Sequence, residues 1–432
     1  MSSIIVGILL VILALFGAPL FVVLSAAALS LFYGSGTDIV VLAEEQYKLA
    51  SSPHLITIPL FTFAGFLMAK SKAADRLVRL SQALFGWMPG GLAIVVILSC
   101  AFFTTFTGAS GVTIIALGGL LYPMLLGEEY PDDFSLGLVT SSGSIGLLFP
   151  PSLPIILYGI VATTSIDELF VAGILPGTLM ISVLGVYSMF VGHRADVPRR
   201  DFHFEEAAEA LWEGKWELMV PVVVLVSIYG GFVTVAEASA IAAIYVLIVE
   251  VFIMKDISLF GSMDDETSLM HVIREAMVMV GAIMIILGVA MGLTNYLVQE
   301  QVPMQILAFI QQYIDSPITF LILLNVFLLI VGCMMDIFSA IAVVVPLIVP
   351  IAKQYGIDET HLGIIFLANL EIGYITPPVG LNLFISSLAF DEPVVKLYKI
   401  ALPFFFLLLA TLMIITFVPS LSLAPVEWFL GR

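Results

Sequence analysis

Ile145-Gly146-Leu147-Leu148-Phe149-Pro150-Pro151 returns as Ile372-Gly373-Tyr374-Ile375-Thr376-Pro377-Pro378, an offset of 372 − 145 = 227 positions. The same offset carries Pro123 onto Pro350 and Gly65 onto Gly292. Each copy interrupts an apolar stretch with Gly and a Pro-Pro pair. Proline has no backbone N–H, so a helix does not heal across such a pair. Matched interruptions in the two halves of an apolar chain are a signature of secondary transporters. There, broken helices meet near the middle of the bilayer around a solute and its coupling ion. A single Pro-Pro pair could be a mere kink; a pair at the same place in both halves argues against that.

The 432 residues are 61% hydrophobic and 11% charged, with a mean hydropathy of +1.14. Soluble domains carry about 25% charged residues, so the chain reads as an all-α polytopic membrane protein. Its apolar stretches are continuous rather than alternating, which disfavours a β-barrel. The net charge of −18 argues against nucleic acid, whose binding needs a basic surface. The acidic excess falls in connecting segments, at Asp38, Glu44, Glu45 and Glu128-Glu129-Tyr130-Pro131-Asp132-Asp133. These are either solvated loops or a surface that draws cations toward a pore. Cys100 and Cys333 lie inside apolar runs and read as buried small residues rather than a disulfide. The histidines, His54, His193, His203, His271 and His361, lack metal-ligand spacing. Neither a transition metal nor an organic cofactor is expected. Residues 3–33 are too long an apolar stretch for a cleavable signal, so the first helix is expected to remain as an anchor.

Residues 112–126 and 339–352 are short apolar runs, each following another run after a small polar break. Such pairs read as re-entrant hairpins, since non-helical backbone at membrane depth must be covered by protein or line a cavity. The breaks are Thr107-Gly108-Ala109-Ser110-Gly111 and Met335-Asp336-Ile337-Phe338-Ser339, and Ser110 shifted by 227 falls on 337. The first repeat is placed at 1–192, with a hairpin at about 95–126 and a broken helix at about 134–161. A polar linker and connecting helix occupy 193–235, with Arg194, Arg199, Arg200, Lys215, Trp212 and Trp216. The second repeat is placed at 236–432, with a hairpin at about 318–352 and a broken helix at about 361–390. Lys70, Lys72, Arg76 and Arg79 make a basic cluster that would put the 70–79 loop in the cytoplasm.

Ionisable groups within spans are functional candidates because leaving them there is costly. Asp336 sits at a hairpin tip and either shapes an ion site or caps the hairpin. Glu371 lies just before the second break, and Glu237 begins an apolar helix, where an acid also suits the helix dipole. Thr140-Ser141-Ser142-Gly143-Ser144, with Asn369, Thr376 and Asn382, supplies hydroxyl and carbonyl oxygens beside unwound backbone. A hard cation wants such oxygens, while free helix N-termini at the same depth favour an anionic group. The predicted span at 276–297, like the other predicted spans, contains no arginine. Anion binding is therefore expected to fall to helix N-termini, amides and hydroxyls rather than to a guanidinium.

These motifs resemble those of the large membrane subunit of tripartite ATP-independent periplasmic (TRAP) transporters, in the wider ion-transporter superfamily. The resemblance runs through Pro89-Gly90-Gly91-Leu92-Ala93, Thr107-Gly108-Ala109-Ser110, Gly143-Ser144-Ile145-Gly146 to Pro150-Pro151-Ser152, and Tyr158-Gly159. It continues in Leu169-Phe170-Val171-Ala172-Gly173-Ile174-Leu175-Pro176-Gly177 and in Asn369-Leu370-Glu371-Ile372-Gly373 through Thr376-Pro377-Pro378-Val379-Gly380-Leu381-Asn382. It implies two inverted repeats, each with a re-entrant hairpin and a broken helix, working as an elevator-type transporter. It further implies Na⁺-coupled uptake of a small organic anion, a carboxylate or sulfonate, across the bacterial inner membrane. A periplasmic substrate-binding protein would deliver the anion, and a small four-helix membrane subunit, expected as a separate chain, would complete the complex. One Na⁺ is expected at Ser110, Gly143, Ser144 and Gly146, and a second at Asp336, Ser339, Gly373 and Thr376. Substrate is expected against Thr107, Gly108, Pro150, Pro151, Pro377, Pro378 and Asn382. The chain departs from the family pattern at Ala109, at Ile337-Phe338 and at Thr234-Val235-Ala236-Glu237.

Other readings compete. A transporter of the same superfamily could work with Na⁺ or H⁺ and without a binding protein. Gly108-Ala109-Ser110-Gly111 also resembles the nucleophile motif of rhomboid intramembrane proteases, but a Ser nucleophile needs a base. No histidine lies in the middle of an apolar run, and His361 only begins one. Gly65 through Lys70-Ser71 lacks the second glycine of a phosphate loop, which argues against an ATP-driven pump.

Overall fold

The computed structural model describes residues 12–13, 18–35, 40–88, 90–195, 197, 201–261, 265–314 and 316–431. Asp38, Pro89, Arg199, Arg200, residues 3–11 and 14–17 of the first apolar stretch, and the side chains of Glu45 and His54 lie outside the described residues. The chain runs through α1 (Leu20–Ser35), α2 (Val40–Ala50), α3 (Thr57–Lys70), α4 (Ala73–Phe85), α5 (Gly91–Thr107) and α6 (Ser110–Gly127). α7 (Asp132–Ser142) and α8 (Leu153–Ala162) flank the first break, and α9 (Ile166–Arg194) follows. α10 (Phe204–Glu213) and α11 (Lys215–Tyr229) lead into α12 (Val235–Leu247), which ends in a π turn at Ile248–Ile253. The remainder comprises α13 (Leu269–Gln299), α14 (Val302–Gln311), α15 (Pro317–Met334), α16 (Ile337–Gln354), α17 (Glu359–Gly373), α18 (Leu381–Phe390), α19 (Val394–Phe417) and α20 (Ser420–Leu430).

The offset seen in the sequence recurs in the helix boundaries. Shifting Ser110–Gly127 by 227 gives 337–354, the limits of α16, and shifting Gly91–Thr107 gives 318–334, within one residue of α15. The Pro150-Pro151 and Pro377-Pro378 peptide bonds are both cis. Among the described residues, seven helices are long and apolar enough to cross a membrane, or eight if the pair bent by 46° at the first break is one span. The protein is thus an all-α polytopic membrane protein.

Burial explains why this chain tolerates polar residues at such depth. Every residue from Thr360 to Gly373 in α17 is buried, as is every residue from Phe134 to Ser142 in α7. Both helices carry Ser, Thr, Asn or Glu, which protein neighbours can satisfy and lipid cannot. α17 packs against α15, α9, α16, α19 and α8, so the second break starts from the centre of the molecule. α13 packs against α1, α2, α3 and α16, and α12 packs along α3.

Two sequence expectations are corrected. α13 begins at Leu269, seven residues ahead of the predicted span, so Arg274 does ride on a membrane-length helix. The capping serine, Ser268, accepts from the His271 amide at 3.3 Å and starts the helix early. Arg76, counted in the basic cluster, turns inward instead. Its guanidinium pairs with Glu217 of α11, with Glu250 at 3.1 Å and with Asp256 at 2.5 Å. Glu217 and Glu250 are each 1% exposed, so this ion cluster ties amphipathic α4 to α11 and the end of α12 away from water. In the linker, Lys215 Nζ lies 3.0 Å from the Trp212 ring centroid and 5.2 Å from that of Trp216. Glu237 is the reciprocal partner of Thr234 in a capping box, which accounts for its place at the start of α12.

Candidate ion and substrate site

The first hairpin turns at Gly108, whose φ of +63° lies in the left-handed region that glycine adopts without a Cβ penalty. A Cβ there would fall 2.8 Å from Leu153 Cδ1, so the tip rests on the first turn of α8, just past Pro150-Pro151. Thr107 Oγ1 lies 3.5 Å from the Ala109 amide. Ser110 opens α6 with its hydroxyl buried and without a hydrogen-bond partner. Thr104 donates to the Gly143 carbonyl at 2.8 Å, and Thr105 to the Gly146 carbonyl at 3.0 Å. A Cβ on Gly143 would lie 2.6 Å from Ile114 and 3.5 Å from the Ser110 carbonyl; one on Gly146 would overlap the Ala101 carbonyl. Small residues at the break thus let the unwound backbone approach the hairpin, with Gly143 beside Ser110 and Gly146 against Ala101, Thr104 and Thr105 of α5.

The second half repeats the contact with different chemistry. Gly332 and Gly373 stand 227 residues beyond Thr105 and Gly146, and a Cβ on Gly373 would lie 2.6 Å from Gly332 Cα. Asp336 caps α16, one carboxylate oxygen accepting the Phe338 and Ser339 amides at 3.0 Å and the other the Ser339 hydroxyl. Capping is therefore one established role of Asp336. The Tyr374 hydroxyl accepts from the Ile337 amide at 2.6 Å, and the Gly380 amide donates to the Cys333 carbonyl at 2.9 Å. Asp336, Ser339 and Gly373 are joined through these links. Thr376 Oγ1 donates to its own helix at Ile372 O, 2.7 Å away. The two breaks differ in exposure: Pro150 and Pro151 are buried, whereas Pro377 and Pro378 are exposed.

Between the halves, Ser144 Oγ donates to the Glu371 carbonyl at 3.3 Å. Asn382 Nδ2 donates to the Thr140 carbonyl at 3.2 Å and to Ser144 Oγ at 3.3 Å. Asn382, expected at the substrate, is thus wired to Ser144, expected at the ion. Glu371 is 2% exposed; the Leu148 amide approaches its carboxyl group, yet neither oxygen has a partner at bonding geometry. A bare carboxylate in such a place costs several kcal/mol, so the pocket calls for a proton or a cation. The hydroxyls of Ser141, Ser142 and Ser152 and the side-chain oxygens of Asn369 and Asn382 are likewise buried and unpartnered.

Sequence reasoning noted Glu371 beside the break but placed it in neither ion set, and it passed over Thr104 and Thr105. Their signal was available: each is a polar residue on a mostly apolar helix, within a few positions of a motif residue. His361 is committed elsewhere, with Nδ1 at 2.6 Å from Ser422 Oγ and Nε2 at 3.2 Å from the Thr416 carbonyl. It is therefore not the base of a Ser110 nucleophile.

The family model of the tripartite ATP-independent periplasmic transporter, DctM component, matches residues 6–421. The chain is 36% identical, over 94% of its length, to the isethionate TRAP transporter permease protein DctMQ of Oleidesulfovibrio alaskensis, and it spans 64% of that longer protein. It is 34% identical to the C4-dicarboxylate TRAP transporter large permease protein DctM of Pseudomonas aeruginosa, covering 93% of each chain. Its fold resembles the YdaH transporter of Alcanivorax borkumensis, with a TM-score of 0.56 at 14% identity over 90% of this chain and 88% of that one. The matched family is one of transport proteins, which sets the protease reading aside. The chain belongs to the tripartite ATP-independent periplasmic transporter family as its DctM component, the large multi-pass permease subunit of the bacterial inner membrane.

Proposed function

We propose that this chain is the translocating subunit of a Na⁺-coupled uptake system for a small organic anion, a carboxylate or sulfonate. A periplasmic binding protein delivers the anion, and a separate small four-helix membrane subunit completes the complex. The observation that carries this reading is the pairing of each hairpin tip with its own break, around buried oxygens that lack partners. One Na⁺ takes Ser110, Gly143, Ser144 and Gly146; the second takes Asp336, Ser339, Gly373 and Thr376. The anion lies between the tips, against Thr107, Gly108, Pro150, Pro151, Pro377, Pro378 and Asn382, where α8 and α18 point their N-termini. Relatives named for isethionate and for C4-dicarboxylates support an anionic cargo.

Each hairpin with its broken helix acts as one half of an inverted repeat. The halves span about 1–192 and 236–432 and are joined through 193–235. The hairpins and broken helices move together as an elevator against the body built on α3, α12 and α13. Two Na⁺ per singly charged anion make transport electrogenic, so an inside-negative potential speeds it. The test is uptake into liposomes holding this chain and its small subunit. Uptake should require both the binding protein and a Na⁺ gradient, and should rise sigmoidally with Na⁺. Robust uptake of free substrate without the binding protein would favour the stand-alone reading. Equal uptake in choline or potassium, driven by a proton gradient alone, would remove the Na⁺ assignment.

A further inference from the structure

A cavity of about 600 Å³ opens at the end of α9, between the first turn of α7 and the early part of α19. Its floor is aromatic: the Tyr187 ring meets those of Phe404 and Phe134 edge-on, at centroid distances of 5.4 Å and 5.8 Å. Arg194, Lys399 and Asp133 line its walls, all three exposed, and among the described residues none of them forms an ion pair. The neighbouring acid Asp132 is already held by Lys396 at 2.9 Å, and neither Glu128 nor Glu129 lines the cavity. The open charges are thus two cations and one carboxylate. A second cavity, of about 460 Å³, shares Tyr187 and Phe190 with the first and continues past Val186 and Val183 to Leu407. Its lining is apolar apart from Tyr187 and Ser182, and the Ser182 hydroxyl donates to the Thr178 carbonyl at 2.7 Å.

We infer that this groove binds one molecule of phosphatidylethanolamine, with its phosphate on Arg194 and Lys399, its ammonium on Asp133 and an acyl chain along α9 toward Ser182 and Leu407. The charges select the headgroup. A guanidinium forms a planar fork that matches phosphate oxygens, and a primary ammonium brings N–H donors to a carboxylate. Phosphatidylglycerol would satisfy the two cations but leave Asp133 facing an anion, and the quaternary ammonium of phosphatidylcholine has no N–H to donate. The length selects a lipid. Ser182 lies 194 − 182 = 12 residues before Arg194, about 18 Å along a helix, close to the roughly 15 Å of one leaflet in a hydrocarbon core about 30 Å thick. α9 and α19 are both of membrane-spanning length, and Val186 and Phe190 are 67% and 60% exposed on the outer face of α9. A water-soluble phosphoethanolamine would meet the same charges but leave this apolar trough uncovered.

The groove is held in shape without the lipid. α19 packs against both α7 and α9, so the helices that carry the three charges belong to one packed unit. A Cβ on Gly137 of α7 would lie 2.6 Å from the Phe404 ring, a close approach that seats the aromatic floor. A preformed site does not have to be ordered when its ligand arrives, which favours binding.

The test uses the full chain with its small subunit. Native mass spectrometry in equal parts phosphatidylethanolamine, phosphatidylglycerol and phosphatidylcholine should show preferential retention of phosphatidylethanolamine. D133N should weaken that retention about fivefold without weakening phosphatidylglycerol, so the preference between the two is lost; a merely structural defect would lower both alike. R194Q should weaken both about fivefold, the equivalent of about 1 kcal/mol for one basic contact near a lipid surface. V186W, which fills the trough without touching a charge, should weaken all three lipids, while K353Q on a remote helix end should change none. Equal retention of the three lipids by the wild type would overturn the assignment, as would an unchanged preference in D133N or an equal loss in K353Q. Displacement by free phosphoethanolamine would identify a small-molecule site instead. Retention seen only after the small subunit is stripped away would mean that a protein helix covers the groove. Either result would overturn the lipid site.

Discussion

Ser144 donates a hydrogen bond to the backbone carbonyl of Glu371 across 3.3 Å, and the two residues are 371 − 144 = 227 positions apart. They are therefore matched positions under the 227-residue offset, and both are buried. The hydrogen bond joins the two breaks mechanically. Displacing the carbonyl of Glu371 strains Ser144, and through Ser144 the amide of Asn382.

Glu371→Gln keeps the shape of the side chain and removes its charge. If a cation balances the carboxylate, the half-saturating Na⁺ concentration for uptake should rise by about tenfold or more, since contacts to a charged group are worth about 1.5–3 kcal/mol. Uptake measured against Na⁺ at fixed substrate reads this directly. An unchanged Na⁺ curve would mean that Glu371 sits there neutral.

Ser110→Ala and Thr376→Ala each remove one neutral oxygen from a proposed Na⁺ shell. Each should raise the half-saturating Na⁺ concentration about fivefold, corresponding to roughly 1 kcal/mol per ligand. Docking of the binding protein, followed by surface plasmon resonance, should not change. Weaker docking with an unaltered Na⁺ response would move these residues out of the ion sites.

Gly373→Val forces side-chain atoms into the 2.6 Å gap between the added Cβ and Gly332 Cα. Overpacking of this kind costs about 1–3 kcal/mol. The detergent-solubilised protein should melt several degrees lower, and Gly119→Val, where nothing lies within 4 Å of an added Cβ, should not show that loss. Equal melting of the two variants would mean that α15 and α17 are not held at this distance.

Arg76→Gln leaves the buried Glu217 and Glu250, and the half-buried Asp256, without their cation. Removing one partner of a buried ion cluster costs about 3–5 kcal/mol, so this variant should be the least stable of those described. The sign of its pH dependence follows from Glu217: burial already raises its proton affinity, and without Arg76 it binds a proton still more tightly in the folded protein than in the unfolded one. The deficit should therefore shrink as pH falls. A second variant with Glu217→Gln and Glu250→Gln added to Arg76→Gln should recover part of the loss. A deficit that is constant with pH would assign Arg76 a packing role alone.

Much of the fold was legible because membrane burial imposes simple rules. Continuous apolar runs marked the helices, and Gly with Pro-Pro marked where two of them break. Arg274 was misplaced because hydropathy sees only where polar residues begin. The Ser268 cap and packing against α3 let the helix start two turns earlier. Arg76 was counted with the basic cluster of 70–79 because its partners are 141, 174 and 180 residues away in sequence.

What the sequence by itself determined is the recurrence of its motifs at an offset of 227, the helical membrane class and the two breaks. These follow from backbone chemistry and solvent partition, which act locally. Only the tertiary structure decided that Ser144 reaches Glu371, that Asp336 spends both carboxylate oxygens on its own helix cap, and that the first break is buried while the second is exposed. Each of these depends on which surfaces approach within hydrogen-bond distance. That approach is set by small residues such as Gly146, Gly332 and Gly373, whose effect appears only when two distant helices are brought face to face.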